Sequence, residues 1–241
     1  MSDLSERQKQ LLKVIIELYV KTGEPVSSDL IERNSTIGIS PATIRNEMVK
    51  LTDSGFLKQP HTSAGRVPTA FGFRLYIAEL MKEKEVSVVD EVNLRQQVLD
   101  ARAEFNKMLQ VATKALSRKC GTLALSIHDD DIFYAGAASI LDLPEFYDID
   151  VTRFVLSLFD ECSVLHQILS QAKGVDPLHI IFGEETGYEY LLPTSFAFLN
   201  FETKFGNQGI IGVIGPNRLN FPLVIPYLRY VGRVLTEGSS I

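Results

Sequence analysis

The chain has 241 residues, a formal net charge of −6, 45% hydrophobic and 22% charged residues, two cysteines and no tryptophan. That length buries a real core in one or two domains, and the composition excludes wholesale disorder. Two thiols exclude both a disulfide scaffold and a zinc domain built on four thiolates.

Residues Met1-Ser2-Asp3-Leu4-Ser5-Glu6 resemble no secretory leader, and no apolar run approaches the roughly 18 residues of a membrane helix. A cytoplasmic protein with no membrane association is therefore expected. The charge is uneven. Residues 1–75 hold ten basic and eight acidic residues, a net of +2, and the remainder carries −8. Within 40–75 there are five basic residues against two acidic ones. The pattern describes a mildly basic amino-terminal module on an acidic body.

In chain order, Ser5 can cap a first helix running to about Thr22. Its apolar set Leu11, Leu12, Ile15, Ile16, Leu18 and Tyr19 has helical spacing. Gly23-Glu24-Pro25 ends it, Ser27 or Ser28 caps a second helix to about Arg33, and a loop spans 34–39. Ser40-Pro41 is an N-cap followed by proline at the first helical position, and Gly55 stands where the third helix should stop. On that helix Ile44, Met48 and Leu51 form an inward face. The opposite face carries Ala42, Asn46, Val49 and Asp53, flanked by Thr43, Arg45 and Lys50. Arg45 can reach guanine or phosphate, and Asn46 can read adenine.

Phe56-Leu57-Lys58-Gln59 and a return strand from Val67 predict a β-hairpin wing around Pro60-His61-Thr62-Ser63-Ala64-Gly65-Arg66, with Arg66 near the tip or on the return arm. A cation there meets phosphate or the minor groove. Thr69 caps a further helix to about Met81. Three helices and a wing predict a winged helix-turn-helix. The expected DNA contacts are Ser40, Thr43, Arg45, Asn46 and Lys50 on the helix, and His61, Thr62, Ser63 and Arg66 on the wing.

From Leu94 a 4-3 seam runs through Val98, Ala101, Phe105, Met108, Ala112 and Ala115. It suits either a coiled coil, with Leu94, Val98, Phe105 and Met108 as dimer contacts, or a long helix packed on a core. Strands are expected at Leu123–Ile127, Ile132–Tyr134, Leu178–Phe182, Ser195–Phe201 and Gly209–Ile214. A polar turn is expected at Asp129-Asp130-Asp131, with helices over 150–172 and from about Leu223 to Thr236. Together they make an α+β body.

Cys162 and His166 lie one turn apart but lack a second metal-ligand pair, so they read as packing. His128 with the aspartates reads as a turn, and Glu184-Glu185 as solvated charge. Gly212-x-x-Gly215-Pro216 sits near a strand end and is no dinucleotide fingerprint. No catalytic motif appears, and neither an enzyme, a metal nor a cofactor is expected.

Several long runs carry a family resemblance: Leu4-Ser5-Glu6-Arg7-Gln8, Tyr19-Val20-x-Thr22-Gly23-Glu24-Pro25-Val26, Ser40-Pro41-Ala42-Thr43-Ile44-Arg45-Asn46, and Gln59-Pro60-His61-Thr62-Ser63-Ala64-Gly65-Arg66-Val67-Pro68-Thr69. Leu143-Pro144-Glu145-Phe146, Ile181-Phe182-Gly183-Glu184-Glu185 and Gly212-Val213-Ile214-Gly215-Pro216-x-Arg218 extend it. The chain resembles the heat-inducible transcription repressors of the HrcA family. The resemblance implies a repressor of chaperone genes that binds an inverted-repeat operator as a homodimer, with the chaperonin GroEL as a partner. The residues divide the chain into a winged-helix domain over 1–82, a linker and long helix over 83–118 and a body over 119–241, and the resemblance implies that this body is GAF-like.

Two departures stand out. The family's second helix usually reads like Gly-Ser-Arg where this chain has Ser27-Ser28-Asp29, and Asp29 would repel phosphate. Between Ile127 and Gly136 there is no room for the family's inserted dimerisation domain, so the chain reads as a shortened member. A metabolite-responsive regulator, with a small ligand in the GAF-like body, is the alternative.

Overall fold

The computed structural model describes residues 4–35, 38–129, 131–172 and 177–238. Residues 36 and 37 of the expected 34–39 loop, and Asp130 of the expected polar turn, lie outside the described residues. The chain divides into two compact units, 1–82 and 83–241.

In the first unit α1 spans Glu6–Thr22 and opens with a reciprocal cap. Ser5 accepts from the Gln8 amide, and the Gln8 side chain accepts from the Ser5 amide. Gly23, left-handed at φ 74°, closes it. α2 (Ser28–Asn34) is capped by Ser27, and α3 (Pro41–Asp53) by Ser40. Ile44, Met48 and Leu51 are buried as the periodicity required. β1 (Leu57–Lys58) pairs antiparallel with β2 (Val67–Pro68) to make the wing. Thr69 caps α4 (Ala70–Leu75), which continues as a π-helical turn over Tyr76–Leu80. The core is Leu11, Leu12, Ile15, Ile16, Ile31, Ile44, Leu51 and Phe73, all essentially without exposure.

The second unit begins with α5 (Val88–Asp100) and α6 (Phe105–Cys120). Five strands follow: β3 (Leu123–His128), β4 (Asp131–Ala135), β5 (Leu178–Phe182), β6 (Thr194–Glu202) and β7 (Gln208–Pro216). They form one antiparallel sheet in the order β4-β3-β7-β6-β5. Between β4 and β5 lie α7 (Ile149–Ser157) and α8 (Cys162–Leu169). α9 (Gly183–Thr186) follows β5, and α10 (Phe221–Gly238) ends the described chain.

The period-2 alternation of a strand sorts the side chains onto two layers. Leu123, Leu125 and Ile127 join Phe196 and Phe198 in a core with Val151, Val155, Leu165 and Ile168 of α7 and α8. Ser126 points the other way, where its hydroxyl meets that of Thr113 on α6 at 2.7 Å. α6 and α10 cover this second face, and α5 packs on both of them. The expected α+β class is observed.

The helix expected over 150–172 is two helices, α7 and α8, separated by a turn. The single long helix expected before the sheet is also two, because residues 101–104 leave the helix between α5 and α6. The expected dimer seam is corrected with it. Leu94, Val98 and Met108 are 3% exposed or less within one protomer, so they form its own core and offer nothing to a partner. The packing alternative is the one observed. Phe105, half-buried, packs edge-on against His128 with ring centroids 4.7 Å apart.

α10 holds a proline, Pro226, in its second turn. Lacking an N–H, it frees the carbonyl four residues earlier, that of Pro222. The amide of Lys84 donates to that oxygen at 2.8 Å. Glu83 adds an ion pair to Arg229 on the same helix at 2.5 Å, and Ser87 caps α5. The stretch that leads out of the first unit is thus fastened to the second from residue 83 onward.

The runs Leu143–Phe146 and Gly212–Arg218 meet in this unit. Glu145 and Arg218 form a two-pronged ion pair, Nε to Oε1 at 2.5 Å and Nη2 to Oε2 at 3.0 Å, with side chains only 16% and 12% exposed.

Candidate nucleic-acid interface

α2 and α3 with their short connection make the helix-turn-helix of the first unit. Proline at the first helical position and the Ser40 cap set where α3 begins. Its buried stripe turns the other face outward. Asn46, Arg45 and Lys50 are exposed, as are Ala42, Val49 and Asp53 beside them. The amino-terminal side chains are locally engaged. Ser40 Oγ accepts from the Thr43 amide at 3.2 Å and lies 3.0 Å from Thr43 Oγ1.

The cations on α3 each have a protein partner. Arg45 Nε donates to Ser28 Oγ at 2.9 Å, and its Nη2 donates to Asp29 Oδ1 at 3.2 Å. Lys50 Nζ lies 2.9 Å from Glu47 Oε1, and Glu47 is buried. Both pairs keep the cation on the surface while fixing its direction.

The wing is held by backbone close approach. Val26 and Arg66 exchange both amide hydrogen bonds at 2.9 Å. A Cβ on Gly65 would stand 2.4 Å from the Val26 carbonyl oxygen, so only glycine fits there. Gln59 Nε2 donates to the carbonyls of Thr62 and Ala64 at 2.9 and 3.0 Å, which folds the tip. His61 Nδ1 and Ser63 Oγ are 3.1 Å apart, and His61, Thr62 and Ser63 are exposed. Arg66 is not at the tip. It stands at the base of the return arm, half-buried, with Nε donating to Thr52 Oγ1 on α3 at 3.1 Å. That bond ties the wing to the carboxyl-terminal turn of α3.

The arrangement therefore offers a helix face of short polar and basic side chains beside a polar hairpin tip. Sequence reasoning missed the partners of these cations. The Glu47–Lys50 pair had a signal in its i, i+3 spacing, whereas Ser28 and Asp29 stand far from Arg45 in sequence and had none.

In the second unit, a cleft of about 660 Å³ lies at one end of the sheet, with His166, His179, Asn200 and Gln208 among its lining residues. Among the described residues no group of three His, Cys, Asp or Glu side chains is placed to hold a metal ion, and no helix is long and apolar enough to cross a membrane. Cys120 is half-buried, and its desolvation pushes the thiol up to about 12, which disfavours the nucleophilic thiolate.

Three helices, a two-stranded wing and an outward polar face on the third helix define a winged helix-turn-helix, the class of module that reads duplex DNA. Residues 3–81 match the family described as "Winged helix-turn-helix transcription repressor, HrcA DNA-binding", and residues 72–225 match "HrcA protein C terminal domain". The chain belongs to the HrcA family. It is similar to the heat-inducible transcription repressor HrcA of Geobacter sulfurreducens, at 25% identity over 98% of both chains. It is also similar to that of Clostridium perfringens, at 40% identity over 52% of this chain and 38% of the other. The Geobacter alignment runs over 337 positions, more than the 241 residues present here, so part of that relative has no counterpart in this chain. A crystal structure described as a hypothetical protein shares the fold, with a TM-score of 0.83 at 18% identity over 99% of both chains.

Proposed function

We propose that the protein is a cytoplasmic, sequence-specific repressor of chaperone genes. It binds an inverted-repeat operator as a homodimer, with α3 in the major groove and the wing on the flanking backbone. The observation that carries this reading is the exposed Arg45–Asn46 pair on the outward face of α3, beside an exposed polar wing tip. Arg45 and Asn46 read bases, while Lys50, His61, Thr62, Ser63 and Arg66 fix the register, and Ser40 and Thr43 set the end of the helix. Two heads related by a two-fold axis match an inverted repeat.

The body, residues 119–241 with the helices of 83–118 packed on it, acts as a GAF-like regulatory domain. Its stability sets the temperature of release, since a modest free-energy gap shifts populations steeply on heating. The chaperonin GroEL would act on the same equilibrium by returning loosened repressor to its DNA-binding state.

A mobility-shift titration of the full chain on an inverted-repeat duplex, with scrambled competitor, with and without chaperonin, tests the reading. Arg45→Ala and Asn46→Ala should each weaken operator binding and relax sequence preference. Unchanged operator affinity in both would refute the recognition-helix assignment. A second reading, a small-molecule regulator, has the cleft near His166 and His179 in its favour. A rise in melting temperature with a metabolite mixture would support it.

A further inference from the structure

Arg45 is gripped on one side. Ser28 Oγ accepts from its Nε, Asp29 Oδ1 accepts from its Nη2, and Ser28 Oγ donates to the same Asp29 oxygen at 3.1 Å. Ser28 is itself buried at the start of α2, so this anchor is fixed in the protein. A guanidinium carries its donors in a rigid planar fork. Nε and Nη2 share one edge, and α2 occupies that edge. The other edge, Nη1 with the second hydrogen of Nη2, is the pair of donors that guanine O6 and N7 accept together.

We propose that Asp29 is a specificity-determining positioning residue: with Ser28 it orients Arg45 so that its outer edge meets one guanine of the operator. The inference rests on the recognition-helix reading above. Both side chains stay well exposed, Arg45 at 65% and Asp29 at 59%, and an exposed ion pair adds little to the stability of the fold. Its effect falls on direction. The carboxylate also repels the phosphates of every duplex, whatever the sequence. Only a base that gives Arg45 two well-placed acceptors offsets that repulsion. Asp29 thus lowers affinity for DNA at large more than for the matching site, and specificity is such a difference between affinities.

The test uses the full chain with a duplex library randomised across one half of an inverted repeat. The bound fraction is sequenced, and a fixed duplex of unrelated sequence is titrated in parallel at several salt concentrations. Arg45→Ala should abolish a guanine preference at one position. Asp29→Ala should reduce that same preference about tenfold and leave the other positions unchanged. It should also bind the unrelated duplex more tightly and with a steeper salt dependence. Asp29→Asn keeps an acceptor for Nη2 without the charge, so it should retain part of the preference and show the same gain on unrelated DNA. An intact guanine preference in Asp29→Ala, with the preference lost in Arg45→Ala, overturns the positioning role and leaves the recognition helix standing. An Arg45→Ala variant altered at no position removes both. If Asp29→Ala fails to fold, Asp29→Asn decides, and wild-type preference with wild-type affinity for unrelated DNA refutes the role.

Discussion

Replacing Arg218 with alanine would strand Glu145 in the second unit. The pair is held by two hydrogen bonds, at 2.5 and 3.0 Å, and neither side chain is more than 16% exposed. Removing one partner of a buried pair costs about 3–5 kcal/mol, because the remaining charge loses its counter-ion without regaining water. The residual exposure of Glu145 lets some water reach it, which places the cost near the lower end, about 3 kcal/mol. For a chain of 150–250 residues each kcal/mol moves the melting midpoint by about 2–4 °C, so Arg218→Ala should melt roughly 6–12 °C lower. Calorimetry of the full chain measures that shift, and fluorescence anisotropy of a labelled operator duplex against temperature follows its consequence. If body stability sets the release temperature, the duplex should dissociate earlier by the same interval. The double variant Glu145→Leu with Arg218→Met should recover most of the loss, since a buried ion pair is replaceable by apolar side chains. A midpoint shifted by less than about 2 °C in the single variant would refute the energetic argument. An unmoved dissociation temperature with the full shift would refute the coupling of body stability to release.

Gly65→Ala forces the wing away from the Val26 carbonyl and breaks the reciprocal amide bonds between Val26 and Arg66. The first unit should lose about 1–3 kcal/mol. Hydrogen exchange at those two amides is the direct measurement, and retained protection would contradict the steric reasoning. Met108→Ala should destabilise the body by about 2–5 kcal/mol through the cavity it leaves. Light scattering should find its oligomeric state unaltered, because Met108 is buried within the protomer. On the alkaline side, burial pushes the phenols of Tyr76 and Tyr227 up to about 12, with nearby carboxylates adding to the effect. A folded-state value above the unfolded one, about 10, means a contribution fully present below pH 10 and lost as pH rises from about 10 to 12. Circular-dichroism melts across that range should show falling midpoints, and Tyr227→Phe should flatten the part due to the body. On the acid side, the hydrogen bond from Lys119, then that from Tyr227, holds the Asp90 carboxyl below its ordinary value. Its contribution is present above about pH 4 and disappears on further acidification, so Asp90→Asn should shallow the acid limb of the same melts.

The elements of the first unit were legible because local chemistry dictates them. Serine caps, a proline at the first helical position and glycines at the stops need no tertiary information, and they bracket α1, α3 and the wing closely. The buried face of α3 followed from periodicity alone. Partners distant in sequence were not legible: nothing local couples Asp29 to Arg45, or Arg66 to Thr52. The seam from Leu94 to Met108 shows the complementary limit. A 4-3 pattern states that a face is buried but not against what, and here α5 and α6 face their own chain. The break at 101–104 was hidden because Ala101 and Phe105 keep the apolar spacing across it. The site's chemistry was readable as a set of residue types, whereas its geometry, above all the gripped edge of Arg45, required the fold.

The Lys84 amide on the Pro222 carbonyl governs how much slack the DNA-reading unit has. While the start of α10 is intact, residues 83–87 are fastened to the body, and the tether effectively begins at the unit boundary. If that turn of α10 frays, this stretch is released, and an extended chain of that length reaches roughly 17 Å. Such slack is a large fraction of the separation between adjacent half-sites, about 34–36 Å. The effective concentration of a second head over its half-site depends on how the length of its tether compares with the span it must bridge. In a dimeric repressor, loosening one helical turn in the body would therefore alter operator binding with no change in any residue that touches DNA.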